Sequence, residues 1–226
     1  MVVATDIPAG EADLAAVGAL LAEPARASVL LALADGRSLP AGMLAQEAGV
    51  ARSTATHHLG RLVDAGFITA ERRGRYRYFR LAGPHIAELL EAVACVSPVQ
   101  PVTSLRRGTR AHALRYARCC YDHLAGRLGV AVADALCVCD GAGLTVTADG
   151  ERTFHALGIA ASRGGIVRAC RDWTEQRPHI AGPLGRRLLA RLLELEWLMR
   201  DPHSRALHLT ETGSTDLPLR LGVDLP

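Results

Sequence analysis

The sequence predicts a mainly α protein with a small β content (α+β), divided into two parts. Three observations carry this. Apolar residues recur at helical spacing through most of the first hundred positions. Two short β-favouring segments around an Arg-Gly-Arg turn interrupt them near residues 67–79. A pattern of Cys-x-Asp followed by His-apolar-Ala-Gly-x-Leu-Gly then occurs twice after residue 118.

Residues 1–10, with Pro8 and Gly10, read as a flexible tail ahead of a helix from Glu11 to Leu21. Pro24 opens a second helix to about Ala34, closed by Asp35-Gly36. Met43, Leu44, Ala48, Val50, Ala55, Leu59 and Leu62 repeat at helical spacing across two short helices, with Gly49 between them where a left-handed residue is needed. That pattern turns Arg52, Ser53, Thr54, Thr56, His57 and Arg61 outward. Phe67–Ala70 and Tyr76–Phe79 flank Arg73-Gly74-Arg75 and form a hairpin, or wing. Pro84 starts a helix through Ile86, Leu89, Leu90, Val93 and Ala94, which with the first helix covers the core or pairs two subunits. The domain of residues 11–96 ends at Ser97-Pro98-Val99-Gln100-Pro101, in a linker of residues 97–104, because two prolines forbid a continuing helix.

The second domain, residues 105–226, opens with Arg106, Arg107, Arg110, Arg115 and Arg118, whose ordinary reading is a solvated charged face. Its two copies run from Cys120 to Gly129 and from Cys170 to Gly185, the second carrying a six-residue insertion, Trp173 to Pro178. Helices are expected at Val130–Val138 and Arg186–Met199, and short strands at Leu144–Gly150 and Leu207–Gly213, with Thr147 and Thr210 as caps. A purely structural explanation has Asp122 and Asp172 capping or pairing within their own helices while the glycines allow close packing.

Composition narrows the class. Of 226 residues 49% are hydrophobic and 22% charged, enough for cores and too little charge for disorder. The net charge is only +3, so a nucleic-acid role rests on where the 26 arginines lie; there is no lysine. A GC-rich genome accounts for that bias. With no leader and no run of about 20 apolar residues, a cytoplasmic protein without a membrane partner is expected. Six cysteines, some adjacent, fit reduced thiols, metal ligation or redox sensing better than a secreted disulfide framework.

The exposed face has the chemistry of a DNA reader. Short hydroxyls at a helix amino terminus (Ser53, Thr54, Thr56) suit phosphates and base edges, with His57 beside them and Arg52 and Arg61 reaching further. Arg72, Arg73, Arg75 and Arg77 would follow backbone phosphate or enter the minor groove. A charged hairpin alone is ordinarily a solubilising edge; after a helix-turn-helix it reads as a wing.

Residues of about 12 to 96 resemble an ArsR-type winged helix-turn-helix regulator, on Ser53-Thr54-Ala55-Thr56-His57-His58-Leu59 followed by Leu62-Val63-Asp64-Ala65-Gly66-Phe67-Ile68. The resemblance implies a homodimer joined through the first and last helices, bound to a near-palindromic double-stranded operator and released by a signal. His58, although it matches the family's histidine, reads as a packing or helix-surface residue. The family's thiol motif on the helix before the recognition helix is missing, because Met43-Leu44-Ala45-Gln46-Glu47 has no cysteine. The zinc site on its last helix is incomplete, with only His85 and Glu88 present.

The input is therefore sought in the duplicated domain. Cys120, His123, Cys170 and His179 offer four donors for zinc, copper(I), mercury(II) or arsenic(III), and Cys119 offers a further thiolate for a trithiolate site. Three other readings stay open. One is an organic effector held by Tyr116, Tyr121, Trp173 and Trp197, with His123 and His179 as polar anchors. The second is oxidation among Cys119, Cys120, Cys137, Cys139 and Cys170. The third is an enzyme using Cys120 or Cys170 with His123 or His179. Cys95 reads as packing on the dimer helix.

Overall fold

A computed structural model describes residues 11–99, 101, 104–139 and 143–226; the predicted tail of residues 1–10 and linker positions 100, 102 and 103 lie outside it. The amino-terminal domain begins with α1 (Leu14–Leu21), three residues later than predicted because Asp13 caps it, its carboxylate accepting from Ala16 N at 2.9 Å. Then come α2 (Pro24–Ala32), β1 (Leu39–Pro40) and α3 (Ala41–Ala48). Gly49 ends α3 at φ 66°, the left-handed cap its position called for. α4 (Arg52–Asp64) buries Ala55, Leu59 and Leu62. It leads into β2 (Ile68–Arg73) and β3 (Tyr76–Leu81), an antiparallel hairpin that β1 joins in the order β1-β3-β2. α5 (Pro84–Val96) returns across a core of Val29, Leu30, Leu44, Leu59, Leu62, Ile68 and Phe79.

The second domain starts with α6 (Leu105–Tyr116) and then repeats one order of elements. The first pass is β4 (Arg118–Cys120), β5 (His123–Ala125), α7 (Arg127–Leu136), β6 (Cys137–Cys139), β7 (Leu144–Val146) and α8 (Ala148–Ala156). After β8 (Ile166–Val167), the second pass is β9 (Ala169–Arg171), β10 (Pro178–Ile180), α9 (Gly182–Glu194), β11 (Leu198–Arg200), β12 (Leu207–Leu209) and α10 (Glu211–Leu221). One continuous core, from Leu128, Leu136 and Phe154 to Leu188, Trp197 and Leu217, serves both passes.

The two helices start and stop earlier than predicted. α7 ends at Leu136 because Cys137–Cys139 pairs with Leu144–Val146 as a strand. α9 ends at Glu194 because Glu196 turns left-handed at φ 56°, and Trp197 N reaches back to Leu192 O at 2.9 Å; Met199 therefore lies in β11. Thr147 and Thr210 do cap α8 and α10, accepting from Gly150 N at 2.8 Å and Gly213 N at 2.9 Å. The closing glycine of each repeated motif sits on the carbonyl of the preceding strand. A Cβ on Gly129 would lie 2.7 Å from Leu124 O, and one on Gly185 2.3 Å from Ile180 O.

Two expectations about charge are corrected. Arg118 is not on a solvated face: it is fully buried, its guanidinium 2.9 Å from Asp172. Asp122 and Asp172 do not pair within their own helices. Asp122 accepts from Arg186 Nε at 2.7 Å, and Asp172 from Arg118 and from Gly126 N at 2.7 Å, so each aspartate ties its copy to the other. No single helix among the described residues is long and apolar enough to cross a membrane.

Candidate metal centre and the exposed helix and hairpin

The repeated motif places its donors by strand pairing. In the β4–β5 hairpin Cys120 stands opposite His123; in β9–β10 Cys170 stands opposite His179. Directly opposed residues share a face of their hairpin, so each copy presents one thiol and one imidazole. The two hairpins meet, and the ligand atoms of all four residues lie within 4.8 Å of one another. The His123 and His179 rings stack with centroids 5.0 Å apart, and their Nε2 atoms are 3.1 Å apart. A tetrahedral zinc ion with ordinary Zn–N and Zn–S bonds separates its ligand atoms by roughly 3.3 to 3.8 Å, so small side-chain adjustments suffice to seat one.

The surroundings match this donor set. His123 Nδ1 is 3.1 Å from Asp122, which leaves Nε2 facing the cluster, and the Asp172 carboxylate is 3.8 Å from His179 Nδ1. The Asp122 carboxylate behind His123 fixes that ring's tautomer and orientation for a ligand, whereas Asp172 stands too far off to bond His179 Nδ1, which has no hydrogen-bond partner among the described residues. Cys120, His123 and His179 are buried, whereas Cys170 is half-buried and marks the open side. A hydrogen bond from the Cys120 thiol holds Cys170 far below the usual thiol range, and the two imidazoles add to this against its burial. Cys120 is pushed well above that range by the same bond and by burial. Burial pulls His123 down, but its bond to Asp122 and the Cys170 thiolate outweigh it and raise its pKa. Burial likewise opposes ionisation of Asp172, yet Arg118, Thr174 and the Gly126 amide hold its carboxyl far below the carboxylate range.

Cys119 does not join the cluster. Strand alternation turns it to the opposite face from Cys120, where its thiol donates to Tyr121 O at 3.4 Å and burial pushes its pKa to about 11. The aromatic pocket is not assembled either. Tyr116 and Trp197 belong to the second domain's core, Trp173 lies against the Arg118 guanidinium, and Tyr121 packs against the amino-terminal domain. Of the four, only Tyr121 lines the open cleft of about 560 Å³ beside Asp35, Asp122, Arg186 and Arg200. Of the five-cysteine oxidation set the structure brings together Cys120 and Cys170, while Cys119 faces the other way, Cys137 is in the core and Cys139 is exposed on β6. The reading of Cys95 as packing misses its neighbour: its thiol donates to Arg171 O at 3.6 Å, one residue from Cys170.

On the other domain, Arg52, Ser53, Thr54, Thr56, His57 and Arg61 all lie exposed along α4, with the Thr56 hydroxyl donating to Arg52 O at 2.9 Å. Arg72, Arg73, Arg75 and Arg77 are exposed on the hairpin. Three of them lie over aromatic rings: Arg73 on Tyr78, Arg75 on Tyr76 and Arg77 on Phe79, which pre-orders these side chains. Exposed Arg80, which sequence reasoning passed over, extends the row with its Nε 3.3 Å from Thr69. His58 is half-buried and outside the cluster, and Glu88 pairs with Arg168 at 2.7 Å.

A family profile described as a helix-turn-helix domain matches residues 21–71. The HTH-type transcriptional regulator YdfF of Bacillus subtilis (strain 168) is 40% identical over 224 residues, 94% of this chain and 99% of the relative. The HTH-type transcriptional regulator CmtR of Mycobacterium tuberculosis (strain ATCC 25618 / H37Rv) is 38% identical over 100 residues, 42% of this chain and 84% of the relative. An NMR structure described as the cadmium metal-sensor CmtR from Mycobacterium tuberculosis is 34% identical, covering 41% of this chain and 99% of that one at a TM-score of 0.32. Such relatives are regulators and not enzymes, which removes the nucleophile-base reading of the cysteines and histidines. A match along nearly the whole of one regulator, on a chain that carries the helices and hairpin described above, makes this protein a member of the winged helix-turn-helix transcriptional regulators of ArsR type.

Proposed function

We propose that the chain is a cytoplasmic, homodimeric repressor that holds a double-stranded operator through α4 and the β2–β3 wing and lets go when a thiophilic metal or metalloid ion binds Cys120, His123, Cys170 and His179. One observation carries the sensing half of this reading: two copies of a motif, fifty residues apart in sequence, bring two thiols and two imidazoles into one cluster. Soft and borderline ions take such donors, and binding requires deprotonated thiolates, one of which the cluster already stabilises. The dimer is supported by α1, an apolar helix with no buried residue and with Leu14 77% exposed; a second copy of the chain is the cover the resemblance implies. DNA contact is supported by the ring-supported arginines on the wing and the exposed hydroxyls at the start of α4.

The test is metal analysis of protein purified under reducing conditions, followed by operator-binding titrations with zinc, copper(I), arsenite and mercury(II). The expected result is about one ion per chain, lost in Cys120→Ser and Cys170→Ser, with DNA affinity falling at least tenfold when the ion is added. A chain that binds none of these ions, or binds them without any change in DNA affinity, overturns the reading.

A further inference from the structure

Helix α5 presents one stripe to the second domain. Glu88, Glu91 and Cys95 stand at positions i, i+3 and i+7, on one side of the helix. Glu88 pairs with Arg168 at 2.7 Å, Glu91 with Arg205 at 2.8 Å, and the Cys95 thiol donates to Arg171 O at 3.6 Å. Gln176 Nε2 donates to Cys95 O at 3.4 Å and fixes the end of the helix over β9. The Cys170 sulfur lies 4.0 Å from the same Arg171 carbonyl oxygen, so two thiols from different domains converge on one acceptor. Cys95, like Cys170, is half-buried.

From this convergence we propose that Cys95 is a third thiolate ligand, recruited with Cys120 and Cys170 by ions that favour three sulfurs over a mixed four-donor set, such as trivalent arsenic. This rests on the reading above that the cluster holds an ion. Zinc is satisfied by two thiolates and two imidazoles and leaves Cys95 where it is. Arsenous acid instead exchanges its three hydroxyls for three sulfurs. Three As–O bonds break and three As–S bonds form; the hydroxyls leave as three waters with the protons of the Cys95 and Cys120 thiols and one proton from solvent in place of the one Cys170 has already released, and no electrons are transferred. Closing that trigonal site draws the end of α5 toward β9. Because α5 follows directly from the wing strand β3, the ligand acts on the domain that carries the exposed reading surface.

The experiment titrates full-length reduced protein with arsenite and, separately, with zinc, counting protected thiols by alkylation and peptide mass mapping. In the native chain arsenite is expected to protect three of the six cysteines, Cys95, Cys120 and Cys170, whereas zinc protects only the last two. Cys95→Ser is expected to bind arsenite at least tenfold more weakly and to resist arsenite-driven release from DNA, while binding zinc as the native chain does. Arsenite protection that omits Cys95, or unchanged arsenite affinity in Cys95→Ser, overturns the proposal while zinc binding leaves the four-donor reading standing. A native chain that binds neither ion overturns both.

Discussion

The two copies of the repeated motif share their letters and differ in what their aspartates do. In the first, a two-residue turn with Tyr121 at φ 57° leaves Asp122 near the surface, backing His123 and paired with exposed Arg186. In the second, the insertion from Trp173 onward folds over its own aspartate. Asp172 accepts from Thr174 N, Thr174 Oγ1 and Glu175 N, and pairs with Arg118 where neither side chain is exposed. The copies also touch different parts of the amino-terminal domain. Tyr121 N donates to Ala34 O at 2.7 Å at the end of α2, whereas β9 lies under α5. One copy therefore keeps the chemistry of a ligand support, and the other has become a structural joint that holds the cluster against both the other copy and α5.

The sharpest way to break this contrast is to remove each aspartate. Asp172→Ala leaves the Arg118 guanidinium buried without its partner, since Glu91 at 3.8 Å is beyond hydrogen-bond reach. A loss of about 3–5 kcal/mol in chemical denaturation is expected, against less than about 1 kcal/mol for Asp122→Ala on the solvent side. Equal losses would mean that the copies are structurally equivalent. The same residue sets a pH signature. Asp172 has a folded pKa far below its unfolded value of 3.8, so between those values the unfolded chain binds the extra proton. Its contribution is fully present above about pH 5 and declines as pH falls through 3.8 and below; in Asp172→Asn that part of the acid limb flattens.

Next come the glycines. Gly185→Ala drives a methyl against Ile180 O and toward His123 Cβ, at 2.3 and 3.0 Å, while Gly129→Ala meets only Leu124, with its carbonyl oxygen at 2.7 Å. Both are expected to cost about 1–3 kcal/mol as overpacked contacts. Only Gly185→Ala should also weaken ion binding, because the atom it displaces belongs to a cluster histidine. Calorimetric titration with zinc on the two variants separates the effects, and an equal effect on affinity would blur the distinction between copies.

What was legible in the sequence follows the range of the interactions. The helix-turn-helix and wing are written in local patterns, the apolar spacing from Met43 to Leu62, Gly49 and the turn at Gly74, and they form where those patterns place them. The four cluster donors were legible because the motif is repeated, so symmetry stood in for distance. Three-residue strands such as Cys137–Cys139 were not, since they are too short to show alternation and take shape only by pairing with the next short strand, Leu144–Val146. Arg118 looked like one more solvated arginine because its partner is 54 residues away. Cys95 looked inert because its place depends on how α5 docks on β9, which no pattern within α5 encodes.

The smallest expected effect asks whether the divergence between the copies extends beyond their hairpins. Thr147 and Thr210 cap α8 and α10 with nearly the same bond, and each hydroxyl also donates back to the chain at the end of the preceding helix, Thr147 to Leu136 O at 3.1 Å and Thr210 to Glu196 O at 2.6 Å and Trp197 O at 3.2 Å. Each threonine to alanine change should cost about 1 kcal/mol, equally in the two copies and without effect on zinc affinity, because a cap is local to its helix. If Thr210→Ala proved the costlier by more than about 0.5 kcal/mol, the asymmetry would run through the second copy as a whole. Equal costs would confine it to the hairpins, where the insertion after Asp172 is the one sequence change large enough to account for it.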